Sequence, residues 1–250
     1  MRIIDIGAML GWIPDQRERQ LPNPEDLLAY MDRYCLTDAV VYHTDACRDS
    51  FAGNAETSAI CRKYDRLRAC YVIDPPMGSN TCGDADELTK YLCENRPVAV
   101  RMFPKSQRVP FSSFYCGDIL EVLEGLRMPL LMNVGEYSYE EVAEVAQNFP
   151  DLKLVLLRPG LNRSRVTFPL MKKTKNVYFD TSVMLDTGLL TEVVSKFGSE
   201  RLLYSSCLPN YEPAGPLGLV MYADITDADR RAIFAENWLA LENGIAWKTC

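Results

Sequence analysis

The chain has 250 residues, of which 48% are hydrophobic, and its formal net charge is -7. This length and composition are sufficient for one domain with a full core, so we predict a single domain over residues 1–250. The negative charge and the lack of a Lys/Arg run exclude strong nucleic-acid binding, which depends on clustered cations.

The first residues contain an acidic side chain, Asp5, inside their apolar run, and Pro14 and Asp15 follow soon after it. That run is too short for a membrane span and lacks the pattern of a signal peptide. The sequence therefore predicts a cytoplasmic protein that does not contact a membrane.

The chain contains nine cysteines, an odd number without a Cys-x-x-Cys pair, and one histidine, His43. We expect most thiols to be reduced, with no disulfide framework and no structural zinc.

Short apolar or β-branched runs alternate with helical patterns along the whole chain, which is typical of repeated βα units. The predicted strands are residues 2–6, 39–43, 68–73, 98–103, 129–134, 153–157, 176–180 and 201–205. Eight such units predict a (β/α)8 TIM barrel, although an open doubly wound sheet gives a similar pattern. No Gly-x-Gly-x-x-Gly follows the first strand.

Helix starts are marked by residues whose side chains can accept a hydrogen bond from a free backbone N–H of the first turn. These marks are Asn23 before residues 25–34, Asp84 with Glu87 before 88–94, Ser138 with Glu141 before a helix ending at 149, and Thr226 with Asp229 before 230–242. The long segment 7–23 between the first strand and the first helix is expected to form a lid or rim over a pocket.

Several segments resemble the amidohydrolase-related (amidohydrolase family 2) TIM barrels, in barrel order. They are IIDI at 3–6, FPDLKLVLL at 149–157, NVYFDTS at 176–182, FGSERLLYSS at 197–206 and FAEN at 234–237. The similarity spans essentially the whole chain. It implies a hydrolase or decarboxylase of small carboxylated, often cyclic, compounds, with its site at the C-terminal ends of the barrel strands.

The resemblance also implies where the family binds a divalent metal ion, through four histidines and one aspartate. Those positions are occupied here by Gly7, Met9, Asn133, Arg158 and Cys207. Glycine has no ligand atom, a thioether suits neither zinc nor magnesium, and a guanidinium repels a cation. We therefore predict no catalytic metal and no other cofactor.

Two arginines at predicted strand ends, Arg158 and Arg101, are candidate substrate-binding residues. A guanidinium offers a rigid fork of donors for a carboxylate or phosphate, so we predict that both bind a small anionic molecule, together with the amide of Asn133. The alternative is a structural role, in which these arginines pair with barrel carboxylates such as Asp5 or Asp180.

Three residues are candidate catalytic groups. His43, at the end of the second strand, has the chemistry of a general acid or base, and Asp180 can serve in the same way if burial raises its pKa. Cys207 can act as a nucleophile if a nearby cation lowers its pKa. The alternatives are a hydrogen-bonded rim histidine, a carboxylate that ties Arg158 in place, and an inert buried thiol.

These residues lead to two functional hypotheses. The first is a metal-independent hydrolase or lyase of a small anionic, carboxylated metabolite. The second is a non-catalytic ligand-binding or regulatory barrel, a pseudoenzyme derived from a metal-dependent hydrolase, and Met9, Met102 and Met184 suggest that its mouth is partly filled. The resemblance is compatible with a homo-oligomer, but the residue periodicity indicates no interface.

Overall fold

The computed structural model describes residues 1–12, 20–21, 23–75, 84–159, 164–184 and 186–247. Eight parallel strands follow one another around a single sheet in chain order. They are β1 Ile4–Leu10, β2 Asp38–His43, β3 Leu67–Val72, β4 Ala99–Arg101, β5 Pro129–Asn133, β6 Lys153–Leu157, β7 Val177–Asp180 and β8 Leu202–Leu203. Hydrogen bonds from the Ile6 and Met9 N–H groups to the Tyr204 and Leu208 carbonyls, at 3.2 and 3.1 Å, link β1 to the β8 segment. The predicted (β/α)8 barrel is confirmed.

Helices alternate with these strands. They are α1 Pro24–Arg33, α2 Ser50–Lys63, α3 Ala85–Asn95, α4 Ser113–Gly125, α5 Tyr139–Asn148, α6 Ser164–Lys173, α7 Leu189–Phe197, α8 Ala214–Tyr222, α9 Asp227–Arg231 and α10 Asn237–Asn243. A 3-10 turn, Thr44–Cys47, follows β2, and a π-helical turn, Ala232–Glu236, joins α9 to α10.

The helix starts agree with the caps read from the sequence in three of four cases. Ser138 and Thr226 open capping boxes, and the Asp84 carboxylate accepts the Glu87 N–H at 2.9 Å. Asn23 makes no cap of this kind, because its side-chain amide donates to Asp26 instead.

The core has two layers. One lies between the barrel and its helices, and the other fills the barrel interior with side chains such as Ala99, Leu131 and Leu203. Because side chains alternate along a strand, the residue two positions beyond an interior residue also faces inward. Arg101 and Asn133, two residues beyond Ala99 and Leu131, therefore face the interior at the C-terminal end of the barrel.

The first strand differs most from its prediction. It runs to Leu10 rather than ending at Ile6, and its register against β2 shifts between Asp5 and Ala8. One extra residue in β1 at this bulge allows the strand to continue through Gly7. The predicted strand ended at Ile6, before Gly7, because glycine has a low local preference for strands. β4 and β8 are shorter than predicted.

Cysteine pairing departs from the expectation at one position. Cys93 forms a disulfide, whereas the described cysteines 35, 47, 61, 70, 116 and 207 are free thiols.

In the predicted lid, residues 13–19 and 22 lie outside the described residues, while Gly11 forms an antiparallel bridge with Leu21. None of the helices in the described ranges is both long enough and apolar enough to cross a bilayer.

Candidate active site

A buried carboxyl group, Asp180, is the centre of a hydrogen-bond network at the end of β7. It accepts the backbone N–H of Arg158 at 2.9 Å and the hydroxyl of Ser182 at 2.9 Å, and the Cys207 thiol lies 3.8 Å away. No solvent reaches the side chain, and this burial raises the pKa of Asp180 to about 7, although the surrounding donors oppose the shift. Near neutral pH Asp180 can therefore hold and release a proton.

Cys207 follows β8 with a left-handed backbone, φ 57°, and its thiol contacts the hydroxyls of Ser182 at 3.4 Å and Ser205 at 3.5 Å. Burial, reinforced by the nearby Asp180 carboxyl, raises the pKa of Cys207 to about 12. The lowered pKa that a nucleophilic thiol requires is absent. Cys207 instead acts as a thiol donor that faces Asp180.

A second buried carboxyl group, Asp5, joins β1 to the segment after β8. It accepts the N–H groups of Gly7 at 3.0 Å and Ser206 at 2.9 Å, and it also accepts the Ser206 hydroxyl. Burial raises the pKa of Asp5, and these hydrogen bonds and the charge of Arg101 oppose the rise. Three donors from the protein therefore occupy most of the lone-pair positions of this carboxyl group.

Arg101 is a buried cation inside the barrel, with 1% of its surface exposed. Its guanidinium lies over the ring of Tyr42 at 4.5 Å, and its Nε atom has no hydrogen-bond partner. Burial raises the pKa of Tyr42 to about 12 and that of Cys70 to about 11, so both neighbours are neutral at pH 7. In the described part of the chain, Arg101 forms no ion pair. A buried cation without a paired anion is costly, which makes this position favourable for an anionic ligand.

The other candidate residues differ in their placement. Asn133 ends β5 with a half-buried side chain, and Arg158 follows β6 with a half-buried side chain and a φ of 53°. His43 ends β2, where its Nδ1 atom accepts the Asp45 N–H at 3.3 Å. Across the described residues, no hydrogen bond or ion pair connects His43 with Asp180, Cys207 or Arg101, so the structure does not bring it together with them.

The residues at the family's metal positions do not fit a divalent ion. The thioether of Met9 accepts the Tyr42 hydroxyl at 3.6 Å, and the Cys207 thiol is directed at oxygen atoms of the protein. At Gly7, a Cβ atom would lie 2.0 Å from the Ser205 hydroxyl oxygen, so no ligand side chain has room there. Within the described ranges, no three His, Cys, Asp or Glu side chains are grouped as metal ligands.

The close approach of Gly7 to Ser205 gives a testable prediction. Gly7→Ala should lower the free energy of unfolding by about 1–3 kcal/mol, the usual cost of overpacking a buried site. Chemical denaturation would measure it, with Gly117→Ala in α4 as the control, because no atom lies within 4 Å of a Cβ at that position. Adding Ser205→Ala should recover part of the loss. A Gly7→Ala protein as stable as the wild type would show that the Ser205 side chain does not restrict the space at Gly7.

The comparisons with known proteins agree with this fold. The amidohydrolase family model matches residues 12–241. The chain belongs to the amidohydrolase family. No curated protein sequence matches it significantly.

Solved structures show the same barrel at low sequence identity. An uncharacterized TIM-barrel protein from Bordetella bronchiseptica has 14% identity and a TM-score of 0.76, with 97% of this chain and 100% of that chain covered. A dihydroxybenzoic acid decarboxylase from Polaromonas sp. JS666, with bound manganese and 2-nitroresorcinol, has 16% identity, a TM-score of 0.76 and 97% coverage of each chain. A 5-carboxyvanillate decarboxylase from Novosphingobium aromaticivorans, also with bound manganese, has 14% identity, a TM-score of 0.77 and 97% coverage of each.

Tyr42 is the site residue that the sequence analysis missed. It precedes His43 in β2, and strand alternation directs the two side chains to opposite faces, so that Tyr42 contacts Arg101 and Met9 inside the barrel. Residues 39–42 are all apolar, so the local sequence contains no polar alternation that would assign Tyr42 to the interior face.

Proposed function

We propose that this amidohydrolase-family chain is a metal-independent lyase of a small carboxylated metabolite, in which Arg101 binds an anionic group of the substrate and Asp180 donates a proton. The observation that carries this proposal is that the site contains a buried guanidinium without an ion-pair partner among the described residues and also a buried carboxyl group whose pKa is about 7. Both residues end their strands at the same end of the barrel, on β4 and β7, three strands apart, and we place the substrate between them.

The proton step follows from the protonation state of Asp180. When the bond between the substrate carbon and its carboxylate breaks, carbon dioxide leaves and the electron pair remains on carbon. The protonated Asp180 supplies the proton to that carbon and becomes a carboxylate. Ser182 and the N–H of Arg158 then stabilise the carboxylate by hydrogen bonds until it is protonated again after the products leave.

Hydrolysis is the less favoured reaction, because it requires a base that activates water. Of the two acid–base candidates, His43 has its Nδ1 atom directed at the Asp45 backbone rather than at the network around Asp180. The raised pKa of the other candidate, Asp180, favours its protonated form and therefore the role of an acid. Two of the similar solved structures are named as decarboxylases, and this analogy of fold also supports a lyase reaction.

Independence from metal is supported by the ligand chemistry of the site. Three protein donors bind the Asp5 oxygens, and the five positions of the family's metal ligands hold a glycine, a thioether, an amide, an arginine and a buried thiol. This donor set suits an anion better than a divalent cation.

A non-catalytic binding barrel is the second candidate. The contact between Tyr42 and Met9 favours it, because the two side chains fill part of the mouth beside Arg101. Such a barrel would bind the same class of anion and release it unchanged.

A thermal-shift screen of small carboxylates tests the proposal. A ligand at 100 times its Kd stabilises the folded state by about 2.7 kcal/mol, which should raise the melting temperature by roughly 5 to 10 °C for a chain of this length. Turnover of a hit, measured as carbon dioxide release, supports the lyase. A hit without turnover supports the binding barrel, and a flat screen contradicts both.

A further inference from the structure

The opposite end of the barrel has a separate cavity, between the N-terminal ends of β5 to β8 and helix α10. Its volume is about 460 Å³, within the range of small-molecule sites. The lining residues are Arg127, Lys153, Tyr178, Glu200, Asn237, Ala240, Leu241 and Gly244.

The π-helical turn before α10 brings that helix across the cavity. Asn237, directly after the turn, donates both of its amide hydrogens to backbone carbonyls, of Ser199 at 2.7 Å and of Leu202 at 2.9 Å. Leu241, which is buried against the barrel interior, forms an apolar floor of the cavity together with Ala240. The cavity therefore has a fixed wall, and π-helical turns of this kind occur frequently at functional sites.

On the other side of the same barrel end, described charged residues form a cluster of ion pairs. Arg68 lies 2.8 Å from Asp38 and also pairs with Glu242, Arg2 lies 2.9 Å from Asp38, and the Trp238 indole donates to Glu242 at 3.1 Å. The half-buried Arg68 and the exposed Arg2 are thus both paired with a carboxylate where the strands β1 to β3 begin.

The cavity breaks this pattern. Lys153 is half-buried at the start of β6, in the same alternation as the interior residue Val155, and Arg127 is exposed at the turn before β5. In the described part of the chain neither cation is in an ion pair. The lining carboxylate, Glu200, is folded against Gly198, where its Oε2 atom lies 2.1 Å from the place that a Cβ would occupy. The cavity therefore offers two cations and the Tyr178 phenol to a ligand that supplies negative charge.

We infer that this cavity is a second ligand site, specific for a small phosphate-bearing dianion and distinct from the carboxylate site at Arg101. Two cations and a phenolic donor suit the several oxygens of a phosphate, and the apolar floor of Leu241 and Ala240 suits a small organic group attached to it. The inference does not depend on the proposed reaction, because the two sites lie at opposite ends of the barrel.

Calorimetric titration with inorganic phosphate tests this inference on the full chain. The wild type should bind one phosphate saturably, and Lys153→Met should weaken the binding at least tenfold, as should Arg127→Gln, which serves as a second variant if Lys153→Met is unstable. Lys172→Met is the matched control, because Lys172 is exposed on α6 outside the cavity.

Arg101→Met separates this site from the one at the barrel mouth. Phosphate binding that survives Arg101→Met and is lost in the two cavity variants supports the second site, whatever the fate of the proposed reaction. Binding that is lost only in Arg101→Met, binding that both cavity variants retain, or no saturable binding by the wild type would overturn it.

Discussion

Asp180→Asn should lower kcat by about 10²- to 10⁴-fold, the usual contribution of a general acid, while leaving the affinity for the carboxylate nearly unchanged. Asparagine has the shape of the protonated carboxyl group and can still accept the Arg158 N–H, but it cannot donate a proton to carbon. In the wild type kcat should fall as pH rises through about 7, because Asp180 loses the proton that it must donate. A kcat in the variant within tenfold of the wild type would exclude Asp180 as the donor.

The same variant has a second readout that distinguishes catalysis from misfolding. The pKa of Asp180 in the folded protein, about 7, lies above the value of about 3.9 expected when the chain is unfolded. The stability that the protonated group contributes is therefore fully present below about pH 4 and is lost as pH rises through 7. Asp180→Asn should become progressively more stable than the wild type over this interval, measured by denaturation at pH 4, 5.5 and 7.5.

Arg101→Met should abolish the thermal shift caused by a carboxylate hit and weaken binding by about 100-fold or more. The reason is the loss of a bidentate, charge-assisted pair, which contributes about 3 kcal/mol in a dry site. The ligand-free variant should be at least as stable as the wild type, because the buried guanidinium has no ion-pair partner among the described residues and methionine removes its desolvation cost. Calorimetry and denaturation measure the two effects separately.

Arg158→Met is the matched control for this experiment. The described contact of Arg158 with Asp180 is made by its backbone N–H, which the substitution retains. We expect it to weaken carboxylate binding by tenfold or less. If Arg158→Met abolished binding while Arg101→Met retained it, the anion site would lie at the end of β6 rather than at Arg101 on β4.

The sequence predicted the barrel well because each strand is an apolar run bounded by caps and turns. It missed the extent of β1, since the bulge that carries the strand through Gly7 depends on the contact of Gly7 with Ser205, 198 positions along the chain. Local preference contains no information about such a contact.

The sequence identified the strand-end residues of the candidate site, but it did not establish their pKa values or their separate roles. The sequence placed Asp180 at the end of a strand, but its raised pKa depends on burial and on donors from the neighbouring segments. It named both arginines and could not separate them, because the neutral surroundings of Arg101 are created by Tyr42 and Cys70 from two other strands. Strand-end position is local, whereas desolvation is a property of the packed barrel.

Metal independence is the central proposal, and the most direct measurement is carbon dioxide release from a carboxylate hit by protein stripped of metal with a chelator and checked by elemental analysis. We predict that the stripped protein turns the substrate over at the rate of the untreated protein, and that added Mn²⁺ or Zn²⁺ does not raise that rate. Turnover that disappears on stripping and returns in proportion to bound metal would contradict the proposal.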